Sequence, residues 1–372
     1  MLRGLNWGHR RARGPMDAVA AELPAALGFE LHWDQQTLGG FEHGLTPALM
    51  QRYDLVVFDH PFCGEIAQQQ MFLPLEDACG PLAAADWAGA SLESYRYAGH
   101  LWGLPIDGAT QCSVYRADLL GEAAPARWSE VIALGRRLRR QGRWLVLPAL
   151  SPHGLLVLLA LCANLGEPWP DEPGQPLGRR GLREAMDLLQ QVFALCHPDS
   201  AQMNAIHAHD AMVARDDLAC CPLMYAYLTY AEADQRRPLR FGAFPGPAGH
   251  PGGSVLGGTG LGISRHCREP AQARALVRHL ADPARQVRVF MAHHGQPAAA
   301  GAWAGAPEDA AYGGAFAAMR TTMDSAWVRP RCKGYIGWQA RAGELTQAWL
   351  QGQLDAAAFE DRLVEGWLAL AR

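Results

Sequence analysis

A carboxylate and an imidazole directly follow the clearest strand pattern in the chain. The apolar run that begins at Tyr53 ends in Asp59, His60, Pro61 and Phe62. A carboxylate can accept hydrogen bonds from two hydroxyl groups, and an imidazole can donate or accept one. Because ligand groups gather at the carboxyl ends of strands in open α/β sheets, this segment is the best candidate for holding a polar ligand. The alternative is a structural aspartate that caps the next segment.

A tryptophan and a histidine stand at the end of the first predicted strand. Trp7 offers a flat apolar face on which a ring can stack, and His9 would add an imidazole at the same place. A buried tryptophan beside a surface histidine is the alternative. Three arginines then open a predicted helix, and they either attract an anionic ligand or are solvated surface charges: Arg10, Arg11 and Arg13.

Tyrosines recur in the apolar segment that ends at position 230. On an extended strand Tyr225 and Tyr227 share one face, because side chains alternate between the two faces of a strand. Such a face can stack on a sugar ring or another planar apolar surface, with the phenols as polar groups. Packing in the core is the alternative, above all for Tyr230.

Two strand-like apolar runs lie between positions 99 and 120 with no helix pattern between them. This arrangement is typical of a strand that crosses from one lobe to another, and two-lobed proteins commonly bind ligands between the lobes. Asp107 and Gln111 flank the predicted crossing, where their side chains would reach both lobes. A turn-forming role is the alternative for either residue.

The run from 257 to 260 is rich in glycine but is not a nucleotide-binding loop. It lacks the spacing of both the P-loop and the dinucleotide-binding fingerprint. We interpret Gly258 and Thr259 as part of a second crossing, where the backbone comes close to the ligand. Trp338, in a basic and aromatic loop, either covers the ligand site or packs in the core.

No motif for catalysis, metal binding or cofactor binding accompanies these residues. The adjacent His293 and His294 point to different sides of a predicted helix, which argues against a metal site made from this pair. The nine cysteines contain no C-x-x-C pair, and scattered thiols in odd number weakly favour a reducing compartment. We therefore expect no metal, no cofactor and no catalytic residue.

The bulk composition limits the class of protein. A length of 372 residues suggests two or three domains, and a net charge of −4 argues against a nucleic-acid partner. No apolar run reaches the ~20 residues of a membrane span, and the chain shows no secretory signal.

Strand patterns alternate with helix patterns, which favours α/β layers. Clear helix patterns cover 154–165, 181–195, 270–281 and 283–293.

Several short motifs occur in the order that is found in one large family of proteins. They are Tyr53–Asp59 ("P-D-V-V"), Met71–Asp77 ("G-x-L-x-P-L-D-D"), Trp102–Pro105 with Ser113–Leu120 ("Y-G-L-P … L-Y-Y-N-x-D-L-L"), Ala126–Val131 ("P-x-T-W-D-E-L"), Gly257–Ser264 ("G-G-x-x-x-x-I") and Gly295–Pro297 ("G-x-x-P"). Their shared order over roughly 250 positions is more specific than any one of them. The chain resembles the extracellular solute-binding proteins of ABC importers, the family that includes the maltose-binding and related sugar-binding proteins.

This resemblance implies a periplasmic-binding-protein-like fold of type II. Each of its two α/β lobes would be a mixed sheet flanked by helices, and hinge strands would let the lobes close on a ligand. The first lobe would comprise 1–107 and 259–300, and the second 112–255 and 305–372, with hinges near 106–112, 254–260 and 298–306.

The resemblance further implies a monomeric receptor that captures a small polar solute and passes it to the permease of an ABC importer. A carbohydrate is the favoured solute, because the candidate residues include several aromatic side chains. The ligand-binding set would be Trp7, His9, Asp59, His60, Phe62, Asp107, Gln111, Tyr225, Tyr227, Gly258, Thr259 and Trp338.

The family resemblance implies export to the periplasm, whereas the chain shows no signal sequence and has many cysteines. The alternative is a cytosolic relative that senses a ligand inside the cell or acts as an enzyme on the same scaffold, because a fold does not fix a function. In that case His9 and His60 would be the acid–base candidates.

Overall fold

The computed structural model describes residues 1–121, 123–247, 249 and 252–371, with only the backbone of His43. The chain forms two compact units. Unit 1 comprises Met1–Ala109, Gly257–Ala310 and Arg331–Lys333, and unit 2 comprises Thr110–Leu256, Ala311–Pro330 and Gly334–Arg372. Sheets and helices occur in both units, and the predicted mixed α/β fold is confirmed. The predicted hinge motion stays a prediction.

Eleven strands occur in the described part of the chain. They are β1 (Leu2–Trp7), β2 (Leu31–Gln36), β3 (Leu55–Phe58), β4 (Phe72–Leu73), β5 (Arg96–Tyr97), β6 (His100–Leu101), β7 (Leu104–Tyr115), β8 (Trp144–Leu145), β9 (Leu218–Tyr225), β10 (Arg240–Gly242) and β11 (Leu256–Ser264).

The α-helices of the described residues range from single turns to eighteen residues. They are α1 (Arg10–Leu27), α2 (Leu38–His43), α3 (Pro47–Met50), α4 (Cys63–Gln69), α5 (Glu76–Cys79), α6 (Ser91–Ser94), α7 (Ala117–Leu120), α8 (Trp128–Arg140), α9 (His153–Asn164), α10 (Arg179–Phe193), α11 (Ala205–Ala214), α12 (Pro270–Leu280), α13 (Pro283–Arg285), α14 (Ala300–Trp303), α15 (Ala315–Asp324), α16 (Tyr335–Leu350) and α17 (Ala356–Leu368). A π-helical turn, Gln286–Phe290, continues α13.

The sheet of unit 1 has the strand order β2–β1–β3–β11, with β4 paired to β11. β1 is parallel to both β2 and β3, and β11 is antiparallel to β3. All four residues of β3 are buried, as its continuous apolar sequence predicts. Since β1 and β3 are parallel neighbours, their carboxyl ends lie at the same edge of the sheet, where Trp7 and Asp59 were predicted to act.

The sheet of unit 2 has the strand order β10–β7–β9–β8. β7 begins in unit 1 and ends in unit 2, and all twelve of its residues are buried. β9 is antiparallel to β7 and parallel to β8. Of the tyrosines at 225, 227 and 230, only Tyr225 lies in β9, which ends at that residue. The chain then turns into a short 3-10 helix at Leu228–Ala231, so Tyr227 and Tyr230 do not continue the strand face.

Helix α9 forms the centre of the helical layer in unit 2. Every residue from His153 to Cys162 is buried, in agreement with a sequence that is apolar on all sides. Trp338 packs nearby in an aromatic cluster, with ring centroids 5.2 Å from Trp169 and 5.1 Å from Trp367. Trp338 is only 1% exposed, which agrees with the core-packing alternative and leaves no open indole face for a ligand.

All nine cysteines are free thiols, and their burial predicts low reactivity. Seven are buried, while Cys79 and Cys267 are half-buried. Burial raises the pKa of Cys79 to about 12 and that of Cys267 to about 11, so both are almost entirely protonated at neutral pH. We expect a thiol-reactive dye to label about two cysteines slowly in the native protein and all nine in guanidinium. Rapid native labelling of more thiols would contradict the described packing.

Candidate functional site

The predicted site residues of unit 1 meet at the carboxyl edge of its two parallel strands. Leu5 lies opposite Val56, so the residues that follow Trp7 come level with Asp59. On the other side of β3, Gly260 lies opposite Phe58, which places Thr259 opposite Asp59. We call Trp7, His9, Arg11, Asp59, His60, Asp107, Gly258 and Thr259 the strand-end cluster.

His9 connects the end of β1 to helix α1. It is the residue that caps α1, and its Nδ1 accepts a hydrogen bond from the backbone N–H of Arg11 at 3.1 Å. The His9 ring stacks on Trp7 with centroids 5.5 Å apart, and Trp7 also contacts Phe41 at 5.6 Å. Trp7 is only 3% exposed. Its indole therefore supports the half-buried His9 ring, and the open stacking face predicted for Trp7 is not seen.

Asp59 and His60 contact each other through their side chains. His60 Nδ1 lies 3.2 Å from Asp59 Oδ1. The His60 ring is completely buried with its neighbour Tyr95 at right angles, whereas the Asp59 side chain keeps 17% of its surface exposed. Asp59 makes no capping hydrogen bond to the turn that follows, which disfavours the structural alternative. Phe62, at the end of that turn, is buried.

Arg11 and Asp107 form an ion pair inside unit 1. The Nε of Arg11 donates to Oδ2 of Asp107 at 2.7 Å, and a terminal N–H of the same guanidinium donates to Oδ1. The two residues are 4% and 8% exposed. Burial raises the pKa of Asp107; the Arg11 guanidinium opposes this effect and the Asp59 carboxylate adds to it. The bidentate contact with Asp107 occupies Arg11, so the predicted role of Arg11 in attracting an anion is not supported.

Gly258 lets the backbone of β11 approach that of β7 within unit 1. Its φ is +111°, and a Cβ placed there would lie 2.1 Å from the carbonyl oxygen of Asp107. Only glycine fits such a position. Gln296 holds the next residue of β7: its carbonyl accepts from Gly108 N at 2.8 Å, and its Nε2 donates to Gly108 O at 3.3 Å. The sequence gives no direct signal for Gln296 beyond its place in the "G-x-x-P" motif.

A small cavity lies beneath the Arg11–Asp107 pair. Its volume is about 10 Å³, and its lining includes Arg11, Asp107, Thr259 and Gln296. This is about the space of one water molecule. The cavity is therefore too small for a solute, and the cluster can bind one only with its exposed groups, such as Asp59 and His9.

The predicted site residues of unit 2 fall into two groups. Gln111 on β7 lies opposite Tyr225 on β9; Gln111 is 2% exposed and Tyr225 is half-buried, with its hydroxyl 3.4 Å from Leu256 O. Tyr227, in contrast, is only 5% exposed and packs against His209 at 5.5 Å. Gln111 and Tyr225 are thus adjacent on the sheet, whereas Tyr227 belongs to the core.

Sequence analysis missed a hydroxyl pair that fixes β7 in unit 2. The Thr110 hydroxyl donates to Ser254 Oγ at 2.8 Å, and the Ser254 hydroxyl donates to Gln111 O at 2.7 Å. Both hydroxyl residues are completely buried. Both lie within the predicted hinge segments 106–112 and 254–260, but the sequence does not show that they pair, since the two residues are 144 positions apart.

Two classes of site are absent from the part of the chain that the structure describes. No group of three histidine, cysteine, aspartate or glutamate side chains is placed to hold a metal ion there. Within the same described ranges, no helix combines the length and the apolarity that crossing a membrane requires.

Comparison with known proteins places this fold among binding proteins. Residues 19–315 match the model of a family described as bacterial extracellular solute-binding protein. The sugar-binding protein MalE of the phytopathogen Xanthomonas citri superposes with a TM-score of 0.75 at 16% identity, over 99% of this chain and 96% of that one. The maltose-bound MalE3 of T. maritima superposes with a TM-score of 0.81 at 13% identity, over 100% of this chain and 98% of that one. At such identities the likeness shows a shared fold.

Proposed function

The chain belongs to the bacterial extracellular solute-binding protein family, and from this premise we propose that it binds a small carbohydrate with the strand-end cluster of unit 1. The observation that carries the proposal is the Asp59 carboxylate, which lies at the carboxyl edge of the sheet and remains partly exposed. The two similar structures are a sugar-binding protein and a maltose-bound protein, which supports a sugar as the solute.

The chemistry of the cluster suits a polyhydroxyl compound. Asp59 can accept hydrogen bonds from two neighbouring hydroxyl groups, and His9 offers a half-buried imidazole ring at the same edge of the sheet. The surrounding residues are held rigidly, because Arg11 is fixed by Asp107 and His9 by the helix it caps. A preorganised set of acceptors loses little conformational entropy when the solute binds.

We further propose that the liganded protein delivers its solute to the permease of an ABC importer. This partner follows from the family and not from a surface of this chain. The proposed contributions of Gln111, Tyr225 and Tyr227 to binding stay predictions, and the partly exposed Tyr225 is the stronger candidate of the two tyrosines.

An enzymatic role on the same scaffold is the second candidate. The observation that favours it is the 3.2 Å contact between His60 Nδ1 and Asp59 Oδ1, since a carboxylate that orients an imidazole is a common acid–base arrangement. Mass spectrometry of a bound sugar after prolonged incubation tests this role. A chemically changed sugar would support catalysis, and an unchanged one supports binding alone.

Replacing Asp59 with asparagine should abolish most of the binding. Hydrogen bonds to a charged group contribute about 1.5–3 kcal/mol, so we expect the affinity to fall by at least about tenfold. The measurement is the concentration-dependent rise in melting temperature with maltose, glucose, galactose and mannose, followed by calorimetry on any sugar that binds.

Asp77→Asn is the matched control, because Asp77 is an exposed carboxylate of the same unit in the first turn of α5. It should bind sugar like the parent protein. If no sugar raises the melting temperature of the parent protein, the proposed function is wrong. If sugar stabilises Asp59→Asn as strongly as the parent, Asp59 is not part of the site.

A further inference from the structure

We propose that unit 2 has a second binding site, which takes a small amphiphilic anion of the medium-chain carboxylate class. The site is a groove of about 420 Å³ beside helix α8. This volume lies within the range of about 300–1,000 Å³ that is usual for small-molecule sites. None of the residues that line the groove belongs to the strand-end cluster, so this inference does not rest on the proposed function.

Most of the groove is apolar. It lies between α8 and the segment that follows α7, and six of its nine lining residues are alanine, leucine or proline. Leu120 and Pro125 are half-buried, and Leu134 of α8 is 8% exposed. An alkyl chain that lies against these side chains removes apolar surface from water on both partners, which favours binding.

Two arginines near the C-terminal end of α8 supply the positive charge. Arg137 and Arg140 are three positions apart, so they lie on the same side of the helix. Both are exposed, and both line the groove. Within the part of the chain that the structure describes, no carboxylate forms an ion pair with either of them. Neighbouring guanidinium groups repel each other, and an oxyanion that accepts hydrogen bonds from both relieves this repulsion.

The acid and the other arginine nearby have partners of their own. Glu130, in the first turn of α8, accepts hydrogen bonds from the backbone N–H groups of Ala126 and Arg127 at 3.0 and 3.2 Å. It lies about two turns, or about 10 Å, before the first arginine of the groove. Arg139 lies over the Trp144 ring at 3.9 Å. The groove therefore has one basic end, where an anion can bind.

Stabilisation of the helix is the alternative role for the two arginines. Basic side chains in the last turn offset the partial negative charge at a helix C-terminus, and Arg137, Arg139 and Arg140 all stand there in α8. This role requires no groove and no apolar lining. The two roles differ in their consequences, because loss of a helix-stabilising charge changes stability alone, whereas loss of a ligand contact changes affinity.

The experiment compares octanoate with three matched compounds by calorimetry at neutral pH and low salt. Acetate lacks the alkyl chain, 1-octanol lacks the charge, and octylammonium has the opposite charge. We expect octanoate to bind at least about tenfold more tightly than each of the three, because each lacks either the charge-assisted hydrogen bonds or the apolar contact. Raising the salt concentration should weaken the binding of octanoate.

Three variants locate the site. Arg137→Gln with Arg140→Gln should weaken octanoate binding at least about tenfold. Its matched control is Arg136→Gln with Arg236→Gln, which removes the same charge from exposed arginines outside the groove and should bind like the parent. Ala133→Trp fills the groove from an exposed position of α8 and keeps both arginines, and it should also lose binding. Melting temperatures without octanoate show that each variant is folded.

Glu122 is the one other charged residue in the segment 120–125, and it lies outside the described residues. Glu122→Gln should bind octanoate at least as tightly as the parent, because it removes a negative charge from this segment. Weaker binding by this variant would contradict the inference.

Three further results would overturn it. They are a parent protein that does not bind octanoate, equal binding by the parent and by Arg137→Gln with Arg140→Gln, and acetate that binds as tightly as octanoate. Since no probe is a sugar, each of these results leaves the proposed function of unit 1 standing.

Discussion

Acidification from about pH 6.5 to pH 4 will destabilise the protein by about 3 kcal/mol through one buried histidine of unit 2. His153 opens helix α9 and is only 5% exposed. Burial lowers its pKa to about 4, and the positive charges of His207 and Arg329 add to this effect. The folded protein therefore keeps His153 neutral over a pH range in which an unfolded chain takes up a proton.

The sign of the pH dependence follows from this difference in proton uptake. Between pH 6.5 and 4 the unfolded state binds more protons at this position, so the free energy of unfolding falls as the pH falls. Above pH 6.5 the imidazole is neutral in both states, and the contribution to stability is fully present. Each unit of difference between the pKa of His153 in the folded and in the unfolded state corresponds to about 1.4 kcal/mol. This gives the loss of about 3 kcal/mol between pH 6.5 and pH 4.

The measurement is urea unfolding of the parent protein and of His153→Gln at pH 7 and at pH 4.5. The variant lacks the titrating group, so its free energy of unfolding should depend less on pH. His207→Gln is the control, because His207 is exposed on α11 and should leave most of the pH dependence in place. Equal pH dependence in His153→Gln and the parent protein would show that His153 does not titrate as described.

The elements with strong local patterns could be predicted from the sequence. The apolar run before Asp59 is β3, and its burial follows from its composition. The glycine run at 257–260 favours a close backbone approach, and Gly258 makes one to Asp107 with a φ of +111°, whereas its predicted approach to a ligand stays a prediction. Such features depend on residues that are near one another in the chain, and local propensity is sufficient to find them.

Features that depend on distant partners could not be predicted. The arginines beside Arg11 in the sequence suggest a surface charge. Only the structure shows that Arg11 of α1 pairs with Asp107 of β7, which lies 96 residues away in the chain. The helix pattern of 283–293 likewise does not show the change to a π-helical turn at Gln286–Phe290, because a single turn of this kind is too short to establish a period of its own in the sequence. The end of β9 at Tyr225 is set by the following 3-10 turn, which the tyrosine spacing does not show.

Replacing Arg11 with methionine will destabilise unit 1 by about 3–5 kcal/mol, since it leaves the buried Asp107 without its cation. Asp107→Leu will have a similar effect, because it leaves a buried guanidinium without its carboxylate. The double variant, Arg11→Met with Asp107→Leu, removes both charges together. We expect it to be much closer to the parent protein in stability than either single variant, because apolar residues of similar volume can replace a buried ion pair at little cost.

The pH dependence of the Arg11→Met variant distinguishes a lost ion pair from a simple packing defect. Without the guanidinium, burial and the nearby Asp59 both raise the pKa of Asp107 further, so the folded variant takes up a proton that the unfolded chain does not. The contribution of Asp107 to the free energy of unfolding should therefore fall as the pH rises, and the deficit of the variant relative to the parent should be smaller at pH 5 than at pH 7. Urea unfolding of the four proteins at both pH values forms a double-mutant cycle. Additive losses that are the same at both pH values would mean that Arg11 and Asp107 stabilise the unit by packing alone.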